Sequence, residues 1–212
     1  MKRSKNMVIY LLIAIFAVIG VWIYQIMTGR MPYVDKFTRE FVGSLENTLF
    51  YDVFHLITNL GSEFFLVPLV IVVSILLYIW FKSSLVPLFF AGGTLLSHSV
   101  NLLIKDIVAR ERPSVSVAAN AEGFSFPSGH SMIPMVCYGL LAYFITRKLN
   151  SKGAILGVQI FFAFLVFLIG ISRYVINVHY LTDILPGFFF GFLLLIALIY
   201  LYEFIQSKRS PS

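Results

Sequence analysis

Six apolar stretches alternate with short polar ones along the chain: Met7 to Met27, Phe64 to Trp80, Leu85 to Ile104, Ser131 to Ile145, Gly153 to Ile171 and Leu181 to Tyr202. Crossing a hydrocarbon core of about 30 Å takes ~20 helical residues, so each run predicts a transmembrane helix. The second and fourth runs are short and must borrow flanking residues. Between the first two spans Phe37, Phe41, Leu45, Leu49, Val53, Leu56 and Leu60 recur at roughly helical spacing among Lys36, Arg39, Glu40, Glu46 and Asp52. This predicts an amphipathic helix in the outer interface, its apolar stripe either sunk into the acyl boundary or packed on the bundle. Thr58 to Ser62 (TNLGS) predicts the turn into the second span, with Gly61 as the breaker. The expected fold class is all-α: a polytopic membrane protein with six transmembrane helices and that interfacial helix. With no internal repeat or linker, residues 1–212 are expected to form a single domain.

Composition agrees with the pattern: the 212 residues are 59% hydrophobic and only 12% charged, against ~25% charged in soluble domains. The first run follows Lys2, Arg3 and Lys5 as a signal peptide would, but it is long for one and lacks a small-x-small cleavage site, so an uncleaved anchor is expected. The net charge of +6 is scattered between spans and forms no basic stripe, which argues against nucleic acid. Membrane lipid is the expected environment, and no protein partner is predicted. Cys137 is the lone cysteine, and His55, His98, His130 and His179 form no HExxH or other close pair. A mechanism without metal or other cofactor is therefore expected.

Orientation follows from the rule that short cytoplasmic loops carry the excess of Lys and Arg. With the N-terminus inside, Lys2, Arg3, Lys5, Lys82, Arg147, Lys148, Lys152, Lys208 and Arg209 are cytoplasmic, nine in all, against seven outside. Both termini are then expected in the cytoplasm. Three polar clusters, Lys105 to Pro113 (KDIVARERP), Phe126 to His130 (FPSGH) and Ser172 to Asp183 (SRYVINVHYLTD), then fall together on the extracytoplasmic face.

Charged groups at the ends of apolar spans are costly and point to function. His179 and Asp183 are four apart, so they share a face if the last helix begins near them. A carboxylate on one imidazole nitrogen leaves the other free to attack phosphorus. The plainer alternative is a helix-capping Asp183 with His179 in interfacial water. Ser128 and Gly129 open the fourth span, where a hydroxyl and exposed N–H groups make an anion cradle; Ser128 is otherwise a plain N-cap. His130 follows directly and suits proton transfer to a leaving oxygen and from an attacking water. Lys105, Arg112 and Arg173 supply the charge that holds phosphoryl oxygens, the alternative being snorkelling or headgroup contacts at helix ends. Arg110 is assigned to that snorkelling role. Ser97, His98 and Asn101 are expected to pack helices, with Asn101 one turn from Lys105 as a possible support.

Taken together the clusters resemble the signature of the type-2 phosphatidic acid phosphatase family, shared with vanadium haloperoxidases: K-x6-RP at Lys105 to Arg112-Pro113, PSGH at Pro127 to His130, and SR-x5-H-x3-D at Ser172-Arg173, His179 and Asp183. The resemblance implies His179 as the nucleophile, Asp183 as its orienting partner and His130 as general acid then base. It implies Lys105, Arg112, Ser128, Gly129 and Arg173 as the phosphate pocket. Small bacterial lipid phosphatases of this kind are associated with phosphatidylglycerol phosphate, the first substrate expected, and undecaprenyl diphosphate, the second; broad action on phosphatidic acid is a further alternative. Six spans argue against a soluble haloperoxidase. Charges gathered at one surface instead of the midplane argue against a lipid transporter. Phosphotransfer to another alcohol stays open.

Overall fold

The computed structural model describes residues 2–43, 45, 48–113 and 123–209, all of the regular structure among them helical. Helices α1 (Lys2–Met27), α4 (Glu63–Phe81), α5 (Leu85–Val108), α6 (Gly129–Thr146), α7 (Lys152–Val175) and α8 (Leu181–Arg209) are long and apolar enough to cross a membrane, as the six runs predict.

Lipid tails are as apolar as leucine, so these helices associate by close packing more than by hydrophobic burial. Helix α6 is the hub and packs most extensively on α7 and α8, then on α5. Small residues allow it. A β-carbon on Gly187 would lie 2.8 Å from the Ser128 carbonyl oxygen, and one on Gly191 would lie 2.7 Å from that of Met132, so α8 rides directly on the α6 backbone. The buried core collects Phe90, Val136, Leu140, Phe144 and Ile169, while Leu88, Leu95, Phe161 and Phe164 face outward as a lipid-facing surface should. At the end of α6 away from the polar clusters, Tyr143 and Arg147 both bond Glu203 of α8 beside the rings of Phe144 and Tyr202. Helix α1 sits at the periphery and meets α8 through an edge contact of Phe16 with Phe189.

The interfacial segment departs from the single helix expected. It forms two, α2 (Tyr33–Gly43) and α3 (Leu49–Thr58), followed by a short 3₁₀ turn over Asn59–Gly61. Thr48 starts α3 from extended backbone (φ −101°, ψ 154°), its hydroxyl accepting from the Tyr51 N–H at 3.3 Å, and such a cap is incompatible with a helix running through it. Of the predicted stripe, Glu46 lies outside the described residues, as do the side chains of Glu40 and Phe41. Within the stripe, Leu45 and Leu60 pack against the buried core, whereas Phe37, Leu49, Val53 and Leu56 point away from the bundle; the side of α3 that docks on α7 carries Phe54, which lies outside the stripe.

Candidate active site

The three polar clusters meet at one end of the bundle. Helix α5 ends in a left-handed turn at Ala109 (φ 48°), and the chain runs on without regular structure, with Arg110 buried, Arg112 partly buried and Glu111 exposed. At the end of α7, Asn177 takes a left-handed conformation (φ 59°), which Asn tolerates well, and the N–H groups of Val178 and His179 both bond the Arg173 carbonyl, at 3.1 and 3.2 Å. Arg173 and His179 are thereby fixed to one another. The Ser128 N–H donates to the Asp183 carbonyl at 3.0 Å, joining the opening of α6 to the first turn of α8.

His179 and Asp183 are both buried. His179 Nδ1 is 3.4 Å from Asp183 Oδ2 and 3.1 Å from Ser125 Oγ, which itself donates to Asp183 Oδ2 at 2.5 Å. The other ring nitrogen, Nε2, lies 3.0 Å from Arg112 Nη1. A guanidinium only donates, so Nε2 is the acceptor and Nδ1 carries the hydrogen toward Ser125 and Asp183. That tautomer leaves the Nε2 lone pair pointing into the cations. Burial holds the imidazole well below its ordinary protonation range, and the charges of Arg112, Arg173, Lys105 and Arg110 push the same way, so it is neutral near pH 7.

Lys105 and Arg112 converge on one stretch of backbone. Lys105 Nζ bonds the Phe124 carbonyl, and Arg112 Nε bonds that of Gly123 at 3.0 Å. Arg173, almost fully buried, donates from Nη1 to Thr58 Oγ1 at 3.1 Å. Ser128 is the N-cap residue of α6, and among the described residues its buried hydroxyl has no hydrogen-bond partner. The N–H groups of Ser131 and Met132 are taken by the Ser128 carbonyl, while the opening turn directs the N–H groups of Gly129 and His130 past the helix end. Asn101 supports this cradle and not Lys105: its Nδ2 donates to the Pro127 carbonyl at 3.2 Å, and a β-carbon on Gly129 would sit 3.1 Å from its Oδ1. The His130 ring rests on the 3₁₀ turn, where a β-carbon on Gly61 would lie 2.9 Å from Cδ2. Gly61 is thus required for close approach, and turn breaking is secondary.

Arg110 corrects the snorkelling expectation. It is only 8% exposed, its Nη1 donates to Asp183 Oδ1 at 2.5 Å and Thr182 Oγ1 at 2.8 Å, and its Nη2 donates to Asp35 Oδ2 at 2.7 Å. The guanidinium also lies 3.9 Å from the centre of the Tyr180 ring. Its planar fork meets two carboxylates at once, which an interfacial cation has no means to do. Asp35, Ser125 and Thr58 are further site residues that the sequence pattern did not single out.

Six apolar spans around a carboxylate-backed histidine and a nest of cations define a membrane-embedded lipid phosphatase. The chain belongs to the PAP2 superfamily, whose profile matches residues 86–207. It is 36% identical over 143 residues to phosphatidylglycerophosphatase B of Bacillus subtilis (strain 168), covering 65% of this chain and 68% of that one. Its fold superposes with a TM-score of 0.76 on the crystal structure of the transmembrane PAP2 type phosphatidylglycerolphosphate phosphatase from Bacillus subtilis, at 26% identity, covering 89% of this chain and 96% of that one.

Proposed function

We propose that the protein, acting as one domain over residues 1–212, hydrolyses the terminal phosphomonoester of phosphatidylglycerol phosphate to phosphatidylglycerol through a phosphohistidine on His179. The observation that carries this reading is the Nε2 lone pair of a neutral, carboxylate-backed imidazole, 3.0 Å from Arg112 and surrounded by cations. Similarity to a phosphatidylglycerophosphatase supports the choice of lipid.

In the first step Nε2 attacks phosphorus while Arg112 transfers its hydrogen bond from Nε2 to a phosphoryl oxygen. The bond from phosphorus to the lipid oxygen breaks, and His130 delivers the proton that the leaving alkoxide takes up. Lys105, Arg112, Arg173, the Ser128 hydroxyl and the N–H of Gly129 hold the equatorial oxygens and neutralise their charge. In the second step His130 takes a proton from water, the water oxygen attacks phosphorus, the P–N bond breaks and phosphate departs. Asp183 and Ser125 hold Nδ1–H throughout. The lysine and arginine count on the loops puts both termini in the cytoplasm and this site on the extracytoplasmic face.

The test is phosphate release by the detergent-solubilised protein from phosphatidylglycerol phosphate, undecaprenyl diphosphate and phosphatidic acid in parallel, with EDTA present. Highest kcat/KM on the first lipid is expected. A preference for undecaprenyl diphosphate reassigns the enzyme to carrier-lipid recycling, and loss of turnover in EDTA refutes a cation pocket made of side chains alone.

Two outcomes follow from the geometry. Because the folded-state pKa of His179 is depressed, its reactive neutral form persists as pH falls, and is lost only well below 6.5. The acid limb of kcat/KM is therefore expected below pH 6.5, where the second ionisation of the substrate phosphate, near pH 6, also lies; a midpoint above 6.5 contradicts the assignment. Gly61→Ala places a methyl group against His130 and Ile169. Since small misplacements of reacting groups are expensive, kcat is expected to fall about tenfold or more with the protein still folded, as read from phosphate release and thermal unfolding.

A further inference from the structure

We propose that Asp35, on the interfacial helix α2, is a positioning residue for His179, acting through Arg110 and Asp183. The inference rests on reading His179 as the phosphate acceptor, whichever lipid carries the phosphate.

Asp35 is 1% exposed, as deeply buried as the apolar Val42 on the same amphipathic helix, although it is a carboxylate in the first turn. Its Oδ2 accepts from Arg110 Nη2 at 2.7 Å and from Thr182 Oγ1 at 2.5 Å, and its Oδ1 accepts from the Thr182 N–H at 3.1 Å. Thr182 directly precedes Asp183 in the opening turn of α8, so Asp35 fixes both the backbone at Asp183 and the guanidinium that grips its carboxylate. Every remaining acceptor site facing His179 is also directed: Asp183 Oδ2 takes Ser125 Oγ and the Tyr180 N–H, the latter at 2.9 Å.

Charge gives Asp35 a second task. Arg110 alone would cancel the negative charge of Asp183 just where His179 needs it, since four cations, Arg110 among them, already act on the imidazole. Asp35 restores a net charge of −1 to the Asp35–Arg110–Asp183 chain. A phosphorylated imidazole that keeps its Nδ1 hydrogen gains positive charge, and that net negative chain stabilises it more than the neutral resting ring. Helix α2 is held over the site by two further contacts, Tyr174 Oη to the Thr38 carbonyl at 3.0 Å and Arg39 Nη2 to the Pro113 carbonyl at 2.9 Å. A mere tether of α2 therefore does not need Asp35, and burying a carboxylate for that purpose alone is costly.

The experiment compares wild type, Asp35→Asn, Asp35→Glu, Arg110→Met and Asp35→Asn/Arg110→Met on whichever lipid phosphate the wild type turns over fastest. A wrong substrate reading shows itself in the wild-type lipid panel, and a wrong positioning reading in the variant ratios. Asp35→Asn is expected to lower kcat about 10- to 30-fold with KM within about twofold, and Asp35→Glu to recover part of the loss by restoring the charge. In the Arg110→Met background Asp35→Asn is expected to cause no further loss of kcat and to raise the unfolding temperature, because it removes one of two facing carboxylates. Full kcat in Asp35→Asn overturns the proposal. So does a loss that scales with the fraction of folded protein, or effects that multiply in the double variant.

Discussion

Replacing His179 by alanine is expected to lower kcat by at least about 10⁴-fold while leaving the protein folded and able to bind lipid phosphate. Removal of a nucleophile abolishes the covalent route outright, and what survives is the residual stabilisation by the surrounding cations. The side chain is buried, but its loss leaves neither a bare charge nor an orphaned guanidinium: Arg112 keeps the carbonyls of Gly123 and Val178, and Asp183 keeps Arg110, Ser125 and the Tyr180 N–H. The measurement is single-turnover phosphate release beside thermal unfolding in detergent. Turnover within about tenfold of wild type removes His179 from the reaction.

Arg110→Met is expected to damage stability and rate together. It leaves Asp35 and Asp183 buried, facing each other and without the cation between them. Breaking a buried pair in this way costs about 3–5 kcal/mol, because the desolvated charge remains. The carboxylate behind His179 also loses its anchor, and kcat is expected to fall about 100-fold or more. Arg110→Lys is not expected to rescue it, since a single ammonium has no fork to span two carboxylates. Unfolding temperature and kcat read the two effects separately, and a variant with wild-type values for both refutes the ion chain.

Arg110 also marks the limit of what the chain reveals before it folds. The K-x6-RP spacing singles out Arg112, which faces His179, but gives no sign that Arg110, two residues before it, is buried by an aspartate 75 positions earlier in the sequence. Asp35 follows Pro32 at a helix start, where an acidic residue belongs for local reasons, so its long-range partner leaves no local trace. Ser125 stands three residues before Ser128 in a serine- and proline-containing loop, and its link to His179 and Asp183 exists only once α6 and α8 dock. The interfacial break is hidden for a different reason: the apolar period continues through Leu45 and Leu49 although Thr48 begins a new helix between them, with Leu45 packed inward and Leu49 pointing out.

What was legible depended on strong, local physics. Long apolar runs have few alternatives to spanning a membrane, and all six appear as helices. The spacing of His179 and Asp183 by four anticipates their contact, although it is made from two residues before the last helix to its first turn instead of along one helix face. The cost of charge near an apolar bundle points to Lys105, Arg112 and Arg173, and the helix-opening anion cradle to Ser128; all four are found at the same end of the bundle. The partners that hold them, Asn101, Thr58 and the backbone carbonyls of residues 123 and 124, belong to the tertiary structure.

The most direct test of the account is to quench wild-type enzyme during turnover of phosphatidylglycerol phosphate bearing a labelled terminal phosphate, and to locate the label. The account predicts an acid-labile, alkali-stable phosphoenzyme whose label maps to the peptide containing His179 and is absent from His179→Ala. Steady turnover with label on another residue, or with none on His179 under conditions that trap phosphohistidine, contradicts it.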